Sequence, residues 1–185
     1  MNCGDPQNNE AGAGPSSLAG AANPASWTVR GPTGTNAAGQ IILTGISFQR
    51  SGVTIKHVSD GTSRTYLIGE KFVNPIHYET GRDNGDNETW CTGFNNDNFR
   101  SAYAPPSRDV EVDSFRVPYP GDTAVYRGWH IFGSVHAAGV NMSYCDGHVD
   151  TVTYDIDPYL HRSQGNRRDG STAGENWRTP TRGQP

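Results

Sequence analysis

The sequence predicts a domain between α+β and mostly β: an antiparallel sheet with long ordered loops and little helix. Three observations point there. Residues 140–145 and 148–154 alternate in polarity on either side of Asp146-Gly147, and Asp-Gly between alternating runs is a strong hairpin signal. The 185 residues include only four Leu and two Lys, too few for the apolar stripes and solvated faces of a helical bundle. The 23 Gly and 12 Pro cut the chain into short pieces. Only thirty residues are Leu, Ile, Val or Phe, less than the roughly one in five of an ordinary domain. The net charge of −4 is too small to signal disorder, and eight Tyr and four Trp add rigid bulk. One modest core within a single domain is expected.

Composition narrows the function classes. No apolar run approaches the roughly 18–20 residues that span a bilayer. Residues 1–24 carry no basic n-region or apolar h-region and do not read as a signal peptide. A chain that has lost its targeting segment would read the same way. Thirteen Arg are interspersed among 13 Asp and 6 Glu, so there is no basic patch and nucleic acid is not an expected partner. Cys3, Cys91 and Cys145 are too few and too scattered for a zinc cluster. Cys91 and Cys145 are candidates for a disulfide in an oxidising compartment; the competing reading is buried thiols.

Along the chain, residues 1–39 read as an irregular surface segment anchored by Trp27 and Val29. Strand-sized apolar pieces follow at Ile41, Ile42 and Leu43, at Ile46 and Phe48, and at Val53 and Ile55. Ser59 or Asp60 caps a turn through Gly61, Thr62 and Ser63, leading into a buried strand over 66–73. Residues 74–121 are polar and irregular, too long for a hairpin connection, and read as a functional or docking region around Trp90 and Phe94. In the hairpin, a two-residue type I′ turn would set Cys145 opposite His148, Tyr144 opposite Val149, Met142 opposite Thr151 and Val140 opposite Thr153. Val140, Met142, Tyr144 and Val149 would then share the core face. The opposite face would carry Asn141, Ser143, His148 and Asp150.

These residues also carry a resemblance. His136, nine further residues and Asp146-Gly147 look like the H-x9-DG signature that ends a family of prepilin-type proteins abundant in planctomycete bacteria. Residues 58–70, with Asp60-Gly61-Thr62-Ser63 and Gly69-Glu70, resemble that family's "DGTSNT…GE" segment. Residues 165–170 are similar to its "LGNRxDG" ending. Arg64 stands where the family usually has Asn, and Ala138 where it has a second Gly. Its prepilin cleavage site and long apolar helix have no counterpart here, so a head domain from a longer precursor, or a start that has been trimmed or misassigned, is expected. The resemblance implies a pilin-like antiparallel β-sheet head over residues 40–170, followed by a tail over 171–185. It implies an exported, extracellular or envelope location and self-association or association with pilin-like subunits, and it brings no catalytic role. In a homopolymer, residues 74–121 and 155–185 would be ordered by neighbours, because alone they bury too little to offset their ordering entropy.

Candidate sites follow from the residues. His136, Gly139, Asn141, Asp146 and Gly147, with Asp60, Gly61, Thr62, Ser63, Gly69 and Glu70, read as structural. His136 would fold back across the bend at Gly139 to bond the Asp146 loop or nearby backbone. A metal site from His130, His136, His148, Asp146 and Asp150 competes, but the spacings match no zinc pattern. Asp83, Asp86, Asn87 and Glu88 form the best calcium candidate, offering several oxygens in one loop without the EF-hand order; a solvated turn is the plainer reading. Trp90, Phe94, Tyr103 and Trp129 are candidate platforms for stacking a polysaccharide. Ser134 and Ser143 beside His136 show no nucleophile elbow. A non-enzymatic assembly subunit is therefore the first expectation, and a carbohydrate- or solute-binding surface module the second.

Overall fold

The structure is a computed structural model, which describes residues 1–2, 4, 15–29, 33–39, 42–91, 93–110 and 128–170. Its sheets are small. Strands β1 (Tyr66–Gly69), β4 (Gly139–Tyr144) and β5 (Val149–Thr153) form an antiparallel sheet in the order β1-β4-β5, and β2 (Ser107–Arg108) pairs in parallel with β3 (Gly133–Ser134). Two short α-helices, α1 (Leu18–Ala22) and α2 (Pro158–Gly165), and four single-turn 3-10 helices complete the regular elements among the described residues. The fold is mixed and mostly β and loop, as expected. None of these helices is long and apolar enough to cross a membrane.

The central strand organises the core. Val140, Met142 and Tyr144 alternate inward from β4, and Tyr66, Ala102, Phe132 and Val152 pack against them. Each such large side chain taken out of water contributes about 1.5–3 kcal/mol. Phe72, Ala104 and Ile131 form a second cluster, and Val29, Leu43 and Phe48 a third.

The hairpin is present with a different turn. Ser143 faces Val149, Met142 faces Asp150, Asn141 faces Thr151 and Val140 faces Val152, one residue out of the expected register. The loop has three residues, 145–147. The Gly147 N–H donates to the Tyr144 carbonyl (2.9 Å), the Tyr144 N–H donates to the His148 carbonyl (2.9 Å), and Gly147 has φ +95°. Asp146 does not share that left-handed conformation; Arg50 is the one described non-glycine residue with positive φ. A type I turn followed by one left-handed glycine explains both facts. The one-residue slip turns β5 over, so Val152 is buried and Val149 is 65% exposed, reversing the expected face.

Other expectations need revision. Residues 42–54 form no strand; Leu43 and Phe48 reach the core from irregular backbone, and Ile55 is exposed in a 3-10 turn. The strand expected over 66–73 regularly spans Tyr66–Gly69 and continues as an isolated bridge from Lys71 to Phe132. A register shift between Tyr66 and Ile68 breaks the alternation, so Tyr66 is buried while Ile68 is half-exposed. Asn2, expected at the surface, is fully buried: its side-chain amide donates to the carbonyls of Tyr66 (2.7 Å) and Gly165 (3.1 Å). Helix α2 was not anticipated. Asp157 caps it by accepting the N–H groups of Tyr159 and Leu160, with Pro158 at its first position. Within 74–91, 93–110 and 155–170 the contacts described are to the same chain, as with Asp83 to the Asn74 and Gly85 N–H groups and Tyr103 on the second cluster; residues 111–121 and 171–185 lie outside the described residues.

Candidate functional site where three segments meet

The turn at 59–65, the tip of the β4–β5 hairpin and the stretch after α2 lie against one another. Backbone bonds bring the first two together. The Cys145 N–H donates to the Thr65 carbonyl (2.9 Å) and the Asp146 N–H to the Thr62 carbonyl (3.2 Å). Within the first turn, Gly61 has φ +100°, its carbonyl accepts from Arg64 N–H (3.1 Å) and Thr65 Oγ1 (3.1 Å), and Ser63 is exposed. The third segment docks on the same turn through Asp60. Its two carboxylate oxygens accept the N–H groups of Asp169 (2.7 Å) and Gly170 (3.1 Å), and its own N–H donates to the Arg167 carbonyl (3.3 Å).

Glu70 makes the second junction. Its Oε2 accepts the Asn141 N–H at 2.7 Å, its Oε1 faces His136 Nε2 at 3.2 Å, and its N–H donates to the Asn141 carbonyl (3.2 Å). His136 therefore reaches Glu70 and not the Asp146 loop. The ring is exposed, while the His136 carbonyl accepts from the Tyr154 hydroxyl (2.6 Å). Gly139 is not a bend: it lies in β4, where a Cβ would overlap the Val152 carbonyl of the neighbouring strand. Gly69 lies against Met142 and Phe132 for the same reason of close approach. Asp146 turns to its own neighbour, accepting from the His148 N–H (3.1 Å) and meeting His148 Nδ1 at 2.6 Å, while the His148 ring stacks on Tyr144 at 4.2 Å. These bonds hold the Asp146 carboxyl below the usual carboxylate range.

Two buried polar residues underpin the junction, and sequence reasoning gave neither a role. Arg167 is fully buried; its guanidinium donates to the carbonyls of Leu43 (3.1 Å), Gly45 (2.5 Å) and Thr33 (2.5 Å) and lies over the Phe48 ring. That fork satisfies carbonyls at residues 33, 43 and 45, which lie outside every strand. The NRxDG-like segment carried this signal, because an Arg in an otherwise polar tail had no assigned partner. His161 on α2 is also fully buried, its Nδ1 3.2 Å from the Tyr66 hydroxyl, which donates to Gln164 Oε1. Burial alone pushes the His161 imidazole down to about 3.

The calcium candidates do not converge. Asp83 is buried, and its oxygens accept the Asn74 and Gly85 N–H groups, both at 2.7 Å. Asp86 pairs with Lys71 Nζ at 2.5 Å, Glu88 bonds Asn95 Nδ2, and the Asn87 side chain is exposed. Lys71 Nζ also donates to the carbonyls of Gly85 (2.9 Å) and Asp97 (3.1 Å), so an ammonium occupies the middle of the loop's oxygens. Among the described residues, no three His, Cys, Asp or Glu are placed to hold a metal ion. The Ser134 hydroxyl accepts the backbone N–H of His136 (3.3 Å), and no bond joins it to the ring.

The four aromatics do not form one platform. Trp90 is 88% exposed, whereas Phe94 packs on the third cluster beside Phe99, and Tyr103 packs on the second beneath the Arg162 guanidinium. Trp129, half-buried, lines a polar hollow with Asn74, His77, Arg82 and Asn84. Cys91 and Cys145 are both free thiols, the first exposed and the second half-buried, neither a disulfide nor fully buried; Cys3 lies outside the described residues. Partial burial pushes the Cys145 thiol up to about 11, which keeps it protonated and unreactive.

No curated protein and no solved structure matches the chain. The family model described as "Protein of unknown function (DUF1559)" matches residues 3–159, which takes in the first turn, Glu70 and the hairpin but not the Arg167 segment. The chain belongs to this DUF1559 family.

Proposed function

We propose that the chain is a non-enzymatic assembly subunit: the pilin-like head, within the prepilin-type group that ends in H-x9-DG, of an exported filament, secretion apparatus or surface layer at the envelope or outside the cell. One observation carries this reading. Asp60, Glu70 and the Asp146-Gly147 turn, from segments far apart in the sequence, direct their polar atoms at backbone or at the ring of a histidine, His136 or His148. A signature engaged in fastening distant segments serves the shape of the head, and a shape held by such locks is what an assembly presents to its neighbours.

The test is to isolate the protein in its native form, cross-link it and inspect it by negative-stain electron microscopy. Filaments or ordered arrays, lost in a Glu70→Ala protein that still folds, are expected. A concentration-independent monomer in the native sample would overturn the proposal.

A further inference from the structure

The hollow beside Trp129 has the chemistry of a small binding site and plays no part in the three-segment junction. Its volume is about 70 Å³, several times the roughly 10–15 Å³ that one water needs. Trp129 follows Gly128, and a Cβ at Gly128 would overlap the Phe72 ring. The backbone under the indole is thus pressed onto a buried aromatic and fixed in place. Asn74 and Asp83 are buried in the wall, and both Asp83 oxygens are engaged by backbone N–H groups, so its hydrogen-bonding capacity is met from within. Arg82 contrasts with it. Its side chain is exposed and makes no hydrogen bond or ion pair with any described residue, and the neighbouring Asn84 is likewise exposed.

We infer that this hollow binds an acidic sugar residue, a pyranose bearing a carboxylate, with its ring against Trp129 and its carboxylate on Arg82. The C–H face of a pyranose is apolar and slightly positive, which suits the electron-rich indole face. Its hydroxyls need acceptors and donors at the ring edge; the Asn84 amide supplies both, and His77, whose Nδ1 meets Thr80 Oγ1 at 3.3 Å, adds Nε2. A guanidinium lacking its own carboxylate binds a ligand carboxylate in a two-pronged bond, which selects an acidic over a neutral sugar. This site goes beyond the assembly reading and stands independently of it.

Calorimetric titration of the folded chain with an oligogalacturonate, a neutral cello-oligosaccharide and inorganic phosphate tests the inference. The oligogalacturonate is expected to bind at least tenfold more tightly than the neutral sugar. Arg82→Gln should erase that preference while leaving the melting temperature unchanged. Trp129→Ala should weaken both sugars at least tenfold; if that variant unfolds, Arg82→Gln alone decides. No binding of oligogalacturonate, equal binding of both sugars, or displacement of oligogalacturonate by equimolar phosphate would overturn the assignment.

Discussion

The carboxylate of Asp60 lies 2.7 Å from the backbone nitrogen of Asp169, 109 positions further along the chain. The same carboxylate accepts the N–H of Gly170, so one side chain fastens the end of the described structure to the first turn. Charge-assisted bonds of this kind contribute about 1.5–3 kcal/mol when sheltered and less where water competes. Asp60→Ala is therefore expected to lower stability by about 1–2 kcal/mol in urea unfolding. Asp60→Asn, which retains one acceptor, should lose less. Equal stabilities for wild type and Asp60→Ala would show that the junction holds without this carboxylate.

The hairpin turn makes a sharper claim, because only one of its three loop residues, Gly147, is left-handed. Gly147 sits at φ +95° with nothing near the position a Cβ would take, so a substitution is strained by backbone alone. Gly147→Val should cost about 1–3 kcal/mol. Asp146, with ordinary backbone angles, contributes its carboxylate to His148 instead. Asp146→Ala should therefore be milder than Gly147→Val, whereas a type I′ turn would penalise both positions for their backbone. Thermal melts of the two variants decide between the turns.

The contrast shows what the sequence made legible. Hairpin location is a local property, carried by the alternation of residues 140–145 and the Asp-Gly pair, and it was readable. Its register depended on whether one or two residues took positive φ, a choice that leaves no mark in composition, and every side chain of β5 changed face with it. The residues that join the segments were readable as a set but not as pairs. Nothing local indicates that Glu70 meets Asn141 71 positions away, or that His136 turns to Glu70 and not to the nearer Asp146. Buried Arg167 and His161 were invisible for another reason. Polar residues default to the surface, and these two are inside only because irregular backbone carbonyls and the Tyr66 hydroxyl give them partners.

His161 makes stability depend on acid. Its folded-state pKa of about 3 lies below the 6.5 of the unfolded chain, and the cause is burial. Above pH 6.5 both states are neutral and this group contributes no slope. As pH falls below 6.5 the unfolded chain takes up the proton first, so stability declines by up to about 1.4 kcal/mol per pH unit until the folded form protonates as well. His161→Gln should flatten that slope by close to one proton between pH 6.5 and 5, where most carboxylates do not yet titrate. An identical slope in wild type and variant would mean that His161 is protonated in the folded protein.

The last expectation concerns the polar loop around Gly85, where Lys71 does what a hard cation would do. A carboxylate oxygen of Asp86 and the carbonyls of Gly85 and Asp97 surround its ammonium at 2.5, 2.9 and 3.1 Å. Carboxylate and carbonyl oxygens gathered in one loop are the donors calcium prefers, and the three N–H bonds of an ammonium meet the same oxygens without a metal. The Lys71 and Asp86 side chains are 33% and 43% exposed, so the ion pair itself contributes about 0–1 kcal/mol after screening. The two bonds to carbonyls add to it, and Lys71→Met should cost about 1–3 kcal/mol in total. Chelation of the wild-type protein is expected to leave its melting temperature where it was, because a metal stabilises only where it binds the folded state. A chelator that lowers the wild-type melting temperature would return the loop to calcium, and Lys71 would then be a neighbour of the ion and not its replacement.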